Sequence, residues 1–339
     1  MINQKMEIST ASIVKFFIIL LGIIFVYFIR EIVALLFVVY IIFSALDPIV
    51  NWFTDRKVPR FLTVSVLYII ILALIGAVFS ILIPPLVEQL TIMAGNLPDL
   101  INRFSIYYRD LIHSTSYIQR ILQTLADQLG QVGTSFYSAT LSFFGGVATA
   151  VSVLVLSFYL LLDRHDAKVF MLNLIAKDRQ QQIASTIKNI GFKMGAWLRG
   201  QVVLSLMIGF LDFLGLSIIG VPYALTLGIL AAIVEIIPIV GPVFAGTVAV
   251  IVALSTGSWV QALFVVILYT VIQQIEAHFL VPKMMGTAVG LSPVIVIIAL
   301  LIGSKIAGIP GAILAIPVAA GLSVIVKDWQ KLKSSNSSA

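Results

Sequence analysis

No cysteine occurs in the 339 residues, so disulfides, iron–sulfur clusters and thiol nucleophiles are excluded as devices of this chain. Histidine is nearly absent too, with three in all. His278, near the inner end of its apolar run, has no second histidine near it, which makes it an interfacial residue rather than a metal ligand. No metal and no cofactor are expected. The catalytic signatures are missing as well: there is no Gly-x-x-x-x-Gly-Lys-Ser phosphate loop, no His-Glu-x-x-His and no Gly-x-Ser-x-Gly. An enzyme, and an ATP-driven pump in this chain alone, are therefore not expected. Charge is scarce: Asp, Glu, Lys and Arg make up 11% of the chain against 60% hydrophobic residues, with a mean hydropathy of +1.11. That leaves too little polar surface to coat a water-soluble globule of this size. Lipid must cover much of the chain. The formal net charge of +6 would suggest nucleic acid in a soluble protein. Here its distribution reports orientation instead, and no nucleic-acid partner is expected.

What is abundant is apolar sequence. Runs recur from Ile13 to Val326, several approaching the ~20 residues that cross a bilayer as helix. Whole spans are expected at 13–29, 32–50, 62–87, 139–162, 198–219 and 259–281, with two interrupted stretches at 221–255 and 290–326. No small-residue cleavage pattern follows Ile29 and a second run begins at once, which favours a retained first span over a signal peptide. Barrel strands would alternate every second residue, and these runs do not. The fold expected is an all-α polytopic membrane protein with about eight membrane segments, two of them broken re-entrant hairpins. Its parts are N-terminal spans (1–86), an extracytoplasmic segment of two or three amphipathic helices (87–138) and a further span (139–163). A basic amphipathic helix on the inner surface (164–197), a transport core (198–327) and a disordered tail (328–339) follow.

Lys and Arg cluster in Arg56, Lys57 and Arg60, in seven residues from Arg164 to Arg199, and in Lys327, Lys331 and Lys333. Those segments should be cytoplasmic. Placing the N-terminus inside puts every basic cluster on one face, with the C-terminus inside too.

The interruptions carry the most information. Pro238-Ile239-Val240-Gly241-Pro242 divides the first stretch into arms of about 17 and 13 residues, and Gly308-Ile309-Pro310-Gly311 divides the second into about 18 and 15. Neither pair of arms spans comfortably, so each is expected to form a hairpin whose tip lies near the midplane, entering from opposite faces. With their preceding spans they make a candidate inverted repeat. A slide of 70 residues lays Gly220 on Gly290, Ile236 on Ile306, Ile239 on Ile309, Gly241 on Gly311 and Ala245 on Ala315. The same slide lays Glu235 on Lys305. Two coincidentally interrupted helical pairs are the plain alternative.

A charge placed at the centre of a span costs roughly 2.5–3.5 kcal/mol, so each asks for a partner or a purpose. Glu235 and Lys305 stand three residues before Pro238 and Gly308, where they could pair as a structural bridge or compete with a cation for the carboxylate. Asp212 sits deep in its span between Gly209 and Gly215, as a proton relay or a buried structural acid. Glu276, in Gln273-Gln274-Ile275-Glu276, is either a solvated interfacial glutamate or a carrier.

The C-terminal half resembles a known family. Gly220-Val-Pro-Tyr-Ala-Leu, Ile237-Pro-Ile-Val-Gly-Pro242, Gln273-Gln-Ile-Glu276, Leu280-Val-Pro-Lys-Met-Met-Gly286, Val289-Gly-Leu-Ser-Pro293 and Gly308-Ile-Pro-Gly-Ala-Ile-Leu-Ala-Ile-Pro317 are similar in order and spacing to the autoinducer-2 exporter family. These motifs cover about 100 residues, and the layout matches over nearly the whole chain. The family pattern more often has histidine where Ser292 stands. The resemblance implies a bacterial inner-membrane permease, variously linked to export of a quorum-sensing furanone and to sodium or lithium/proton exchange, and it makes homo-oligomers plausible.

The expectation is a secondary transporter whose midplane site lies between the tips at Glu235–Pro242 and Lys305–Gly311. Asp212, Glu235 and Glu276 would carry protons or cations, and Lys305 would be their counter-charge. Gln201, Gln273 and Gln274 would bind a polar ligand, and Pro238, Gly241, Pro242, Gly308, Pro310 and Gly311 would shape the tips. The partners are the bilayer and a small molecule or monovalent cation. Sodium/proton antiport without an organic substrate, a channel, an envelope scaffold and, more distantly, an intramembrane enzyme are the rivals.

Overall fold

The computed structural model describes residues 17–107 except 18, 23 and 26, then 132–163, 177, 180–256, 259–285 and 290–336. Side chains are described over the same residues apart from 86–107, 132–145, 256, 285, 329 and 331–336. No strand occurs among the described residues, and five helices are long and apolar enough to cross a membrane. The chain is an all-α polytopic membrane protein. Large apolar side chains stay exposed along its long helices, among them Ile69 and Leu74, Leu206 and Phe210, and Phe264 and Ile267. In water such a surface would aggregate; against lipid tails it costs nothing.

In chain order the helices are α1 (Arg30–Thr54), α2 (Arg60–Tyr107), α3 (Val132–Leu162), α4 (Gln180–Ile219), α5 (Ala224–Val234), α6 (Val240–Thr256), α7 (Trp259–Ile275), α8 (Val281–Met285) and α9 (Pro293–Asn336). A five-residue π-helical turn, Glu276–Leu280, joins α7 to α8. Residues 17–28 are helical wherever described, and Ile29 (φ −95°, ψ 12°) alone separates them from α1.

Three of these bounds depart from the sequence expectations. Helix α2 does not stop near residue 87 but runs unbroken to Tyr107, so the start of the expected outer segment continues the span; residues 108–131 lie outside the described residues. The inner-surface helix expected up to residue 197 is, from Gln180, the first part of α4 itself. It packs rather than floats: Gly191, Met194, Gly195 and Trp197 are buried. The tail from 328 is helical to Asn336, and 337–339 lie outside the described residues.

The seam between α1 and α4 shows how the fold handles a helix-internal proline. Pro48 has no N–H, so the carbonyl of Ser44 loses its helical donor. Arg199 of α4 replaces it, donating at 3.1 Å to Ser44 O and 3.0 Å to Ala45 O. Gly195 lets the backbones approach that closely, since a methyl there would overlap the Ser44 carbonyl. At the end of the first bundle, Arg60 ties three helices together, donating to Asp47 at 3.1 Å, Asn51 at 3.0 Å and the Leu161 carbonyl at 2.6 Å. Beneath it Tyr68 and Ser157 form a buried hydrogen bond of 2.7 Å.

Both interrupted stretches fold back as helical hairpins. The first breaks at 235–239 between α5 and α6, a turn earlier than the proline-glycine motif suggested, so Gly241 and Pro242 fall in the first turn of α6, where a missing N–H costs nothing. Gly241 packs on the Val234 carbonyl and the Glu235 backbone, which closes the neck. The second breaks inside α9 at Ala307 (φ −139°) and Gly308 (φ 60°, ψ −138°). Gly303 and Gly311 then meet backbone to backbone across its arms.

Candidate functional site

The first hairpin seats against α4 through small residues. A methyl at Gly209 would overlap the Gly228 carbonyl and the Ala232 side chain, so glycine at both positions lets α4 and α5 touch. To either side of this contact, Gln201, Ser205, Ile208 and Asp212 are all buried and recur at helical spacing on one face of α4. Leu204, Ile208 and Ile272 pack α4 to α7 and wall the polar stripe from lipid.

Into this interior come the carboxyls. Glu235 is the first residue past α5 and Asp212 lies on α4, and each is 1% exposed. Glu276 opens the π-turn at 5% exposure. The π-turn has a cause in sequence. Pro282 cannot donate to the carbonyl four residues back, and the Val281 N–H reaches instead to the Glu276 carbonyl. The wider turn aims Glu276 inward, as π-bulges do at functional sites.

Two amides hold the acids in place. Gln201 donates from Nε2 to the backbone carbonyl of Glu235 at 2.7 Å. Gln273 donates from Nε2 to Glu276 at 3.1 Å. Glu235 and Glu276 face each other, and as carboxylates both only accept, so neither supplies the other with a hydrogen-bond donor. Among the described residues five buried side-chain oxygens have no hydrogen-bond partner: Oε1 of Gln201, Oδ1 of Asp212, both carboxyl oxygens of Glu235 and the hydroxyl of Tyr269. A buried polar atom left unpaired costs about 1–3 kcal/mol, so five together mark a place built for something other than stability.

The remaining residues singled out from sequence fall outside this group. Gln274 is exposed, its carbonyl contacting His278 Nδ1 at 3.0 Å. Pro238 and Pro242 are half-buried at the tip and neck of the first hairpin. Lys305, Gly308 and Pro310 are exposed at the other tip, with Gly311 half-buried between its arms. Among the described residues no ion pair joins Lys305 to Glu235. The second hairpin packs chiefly on α4, through Trp197, Ile316 and Ala320, and leaves Lys305 exposed at its tip. Nor do three acids or histidines among the described residues converge as a metal site. Glu235 and Glu276 form a pair, and Asp212 acts on them from farther along α4.

Tyr269 is the participant that the sequence reading missed. It stands two helical turns before Glu276, on the same face of α7, and that spacing was the available signal.

Comparison with known proteins gives the chain's family. Residues 16–331 match the profile of the family described as AI-2E family transporter. YueF of Bacillus subtilis (strain 168) is 29% identical over 308 residues, covering 87% of this chain and 83% of its own. YrrI of the same organism is 26% identical over 299 residues, covering 85% and 83%. YhhT of Escherichia coli (strain K12) is 24% identical over 296 residues, covering 84% and 80%. All three are named as transport proteins, with no substrate in the name.

Proposed function

The chain belongs to the AI-2E transporter family, and from that premise we propose that it is a secondary transporter of the bacterial inner membrane that exchanges protons for a monovalent cation through the Glu235–Glu276 pair. The observation that carries this reading is the pair itself: two buried carboxyls face each other and both Glu235 oxygens lack a donor. Two like charges at that depth are unfavourable together, so the pair holds either a proton or another cation. Competition of the two for one place is the minimal chemistry of antiport. The backbone break at 235–239 supports the same reading, because irregular backbone at membrane depth occurs where it lines a path. In this scheme both hairpins are re-entrant, both termini are cytoplasmic, and the basic clusters lie inside.

The relevant experiment is dissipation of a pH gradient in proteoliposomes on adding sodium or lithium. Wild-type protein should release the gradient, and Glu235→Gln, which keeps shape and removes the charge, should not. Wild-type protein that is folded yet gives no cation-dependent proton flux would sink the exchange reading. Export of an uncharged organic signal, with Gln201 and Tyr269 as hydrogen-bonding groups, would then be tested by efflux.

A further inference from the structure

Asp212 and Tyr269 have no part in the pair just described, yet both are buried and both carry an oxygen without a hydrogen-bond partner. Asp212 lies eleven residues beyond Gln201 on the same face of α4, which is about 16 Å along the axis. It is seven residues, or about 10 Å, from the end of that helix at Ile219. Tyr269 of α7 packs against the core cluster that includes Leu216, one helical turn beyond Asp212 on α4, and its hydroxyl is buried there without a hydrogen-bond partner. The Tyr269 ring is not free to swing: a methyl at Gly246 of α6 would stand 3.1 Å from its Cδ1 and 3.3 Å from its Cγ. The other buried acids of this interior are Glu235 and Glu276, and among the described residues no ion pair joins a cationic side chain to any of the three.

A hydroxyl donor and a carboxylate oxygen, both buried without a partner on neighbouring turns of two packed helices, are matched by a small particle that accepts from one and donates to the other. We propose that Tyr269 and Asp212 form a second station for a hydrated monovalent cation, hydronium included, on the extracytoplasmic side of the Glu235–Glu276 pair. Asp212 supplies the charge that draws the ion in, and Tyr269 fixes the water that the ion brings. The ion then has two stops along α4, and the outer one governs entry from outside only. This deepens the exchange reading and rests on it for direction.

The test uses sided proteoliposomes of the full chain with sodium as the probe. Tyr269→Phe should raise the apparent KM for external sodium about tenfold, the effect of losing one hydrogen bond to a charged site, while the internal KM and maximal rate stay within about twofold. Gly246→Ala, which displaces the ring and keeps the hydroxyl, should shift the same constant less. A variant that merely loosened the fold would change both sides together, and that result, or no change on either side, overturns the proposal. Infrared difference spectra on a pH step supply an independent readout. The carboxyl band lost in Asp212→Asn should move in Tyr269→Phe, and a band that does not move overturns the station even if wild-type flux is normal. If wild-type protein shows no exchange, the exchange reading falls, and the infrared shift still decides whether the two groups share a bound particle.

Discussion

The two hairpins were read from sequence as a matched pair, and they are alike in backbone and opposite in chemistry. Each folds back at a break that combines helix-incompatible residues with a left-handed φ, at Ile239 (72°) in the first and Gly308 (60°) in the second. The first buries its tip acid, Glu235, to 1% exposure and seats it against α4 and α7. The second leaves Lys305 exposed, with Ile306 at 78% and Ile309 at 68% exposure beside it. Likeness of two stretches in sequence and backbone therefore does not require likeness of function. A break at membrane depth becomes a site only where neighbouring helices supply partners for its polar groups. Here α4 and α7 do so for one hairpin alone.

The comparison is broken most directly at the two tips. Glu235→Gln should lower cation-coupled proton flux about a hundredfold, the scale of losing a positioned proton-transfer group. Lys305→Gln should leave flux within about twofold. Equal losses in the two variants would restore the symmetric site between the tips and discard the asymmetric one.

Next in size are the seams. Gly209→Val drives a side chain into the Gly228 carbonyl and should cost about 1–3 kcal/mol of stability together with most of the flux, since it lifts Glu235 off α4. Gly303→Val collides with the Gly311 carbonyl inside the second hairpin and should cost a similar amount while sparing flux in the protein that remains folded. Gly308→Ala finds open space for its methyl but a forbidden backbone (φ 60°, ψ −138°), so it should also destabilise, by about 1–3 kcal/mol. Thermal unfolding in detergent measures all three. Loss of flux in Gly303→Val at normal folded yield would place the second hairpin back in the transport path.

Much of this was legible beforehand, for reasons that are physical. Apolar runs longer than a bilayer is thick announce helices, and prolines inside two of them announce breaks; both survive any detail of packing. Asp212, Glu235 and Glu276 stood out because charge is rare in such sequence, and all three are buried, so the solvated alternative for Glu276 does not hold. What sequence could not assign was partnership. Lys305 and Glu235 match under a 70-residue slide, but Glu235 is buried at its tip and Lys305 is exposed at the other, and the slide says nothing of burial. The extent of α4 was also hidden. Basic residues from Arg164 to Arg199 read as a surface helix, whereas Arg199 is committed to the Ser44 carbonyl that Pro48 leaves open, 155 positions earlier. Tyr269 went unnoticed because an aromatic residue in an apolar run looks like packing until its hydroxyl is found without a partner.

The smallest effect sits at the first tip and asks whether its geometry is maintained at a cost. Ile239 is β-branched, holds a φ of 72° and is 56% exposed, so it suffers the left-handed penalty with little packing in return. That penalty is about 1–2 kcal/mol for a residue with a side chain. Glycine removes it but loses about 0.5–1 kcal/mol more backbone entropy on folding, so Ile239→Gly should stabilise by no more than about 1 kcal/mol. The thermal midpoint should rise by a few degrees at most. Turnover should fall at the same time, because a glycine tip no longer holds the Glu235 backbone carbonyl at 2.7 Å from Gln201. A lower midpoint would show that the isoleucine side chain stabilises the tip more than its backbone strains it. An unchanged turnover would show that the amide of Gln201, not the tip, sets the position of Glu235.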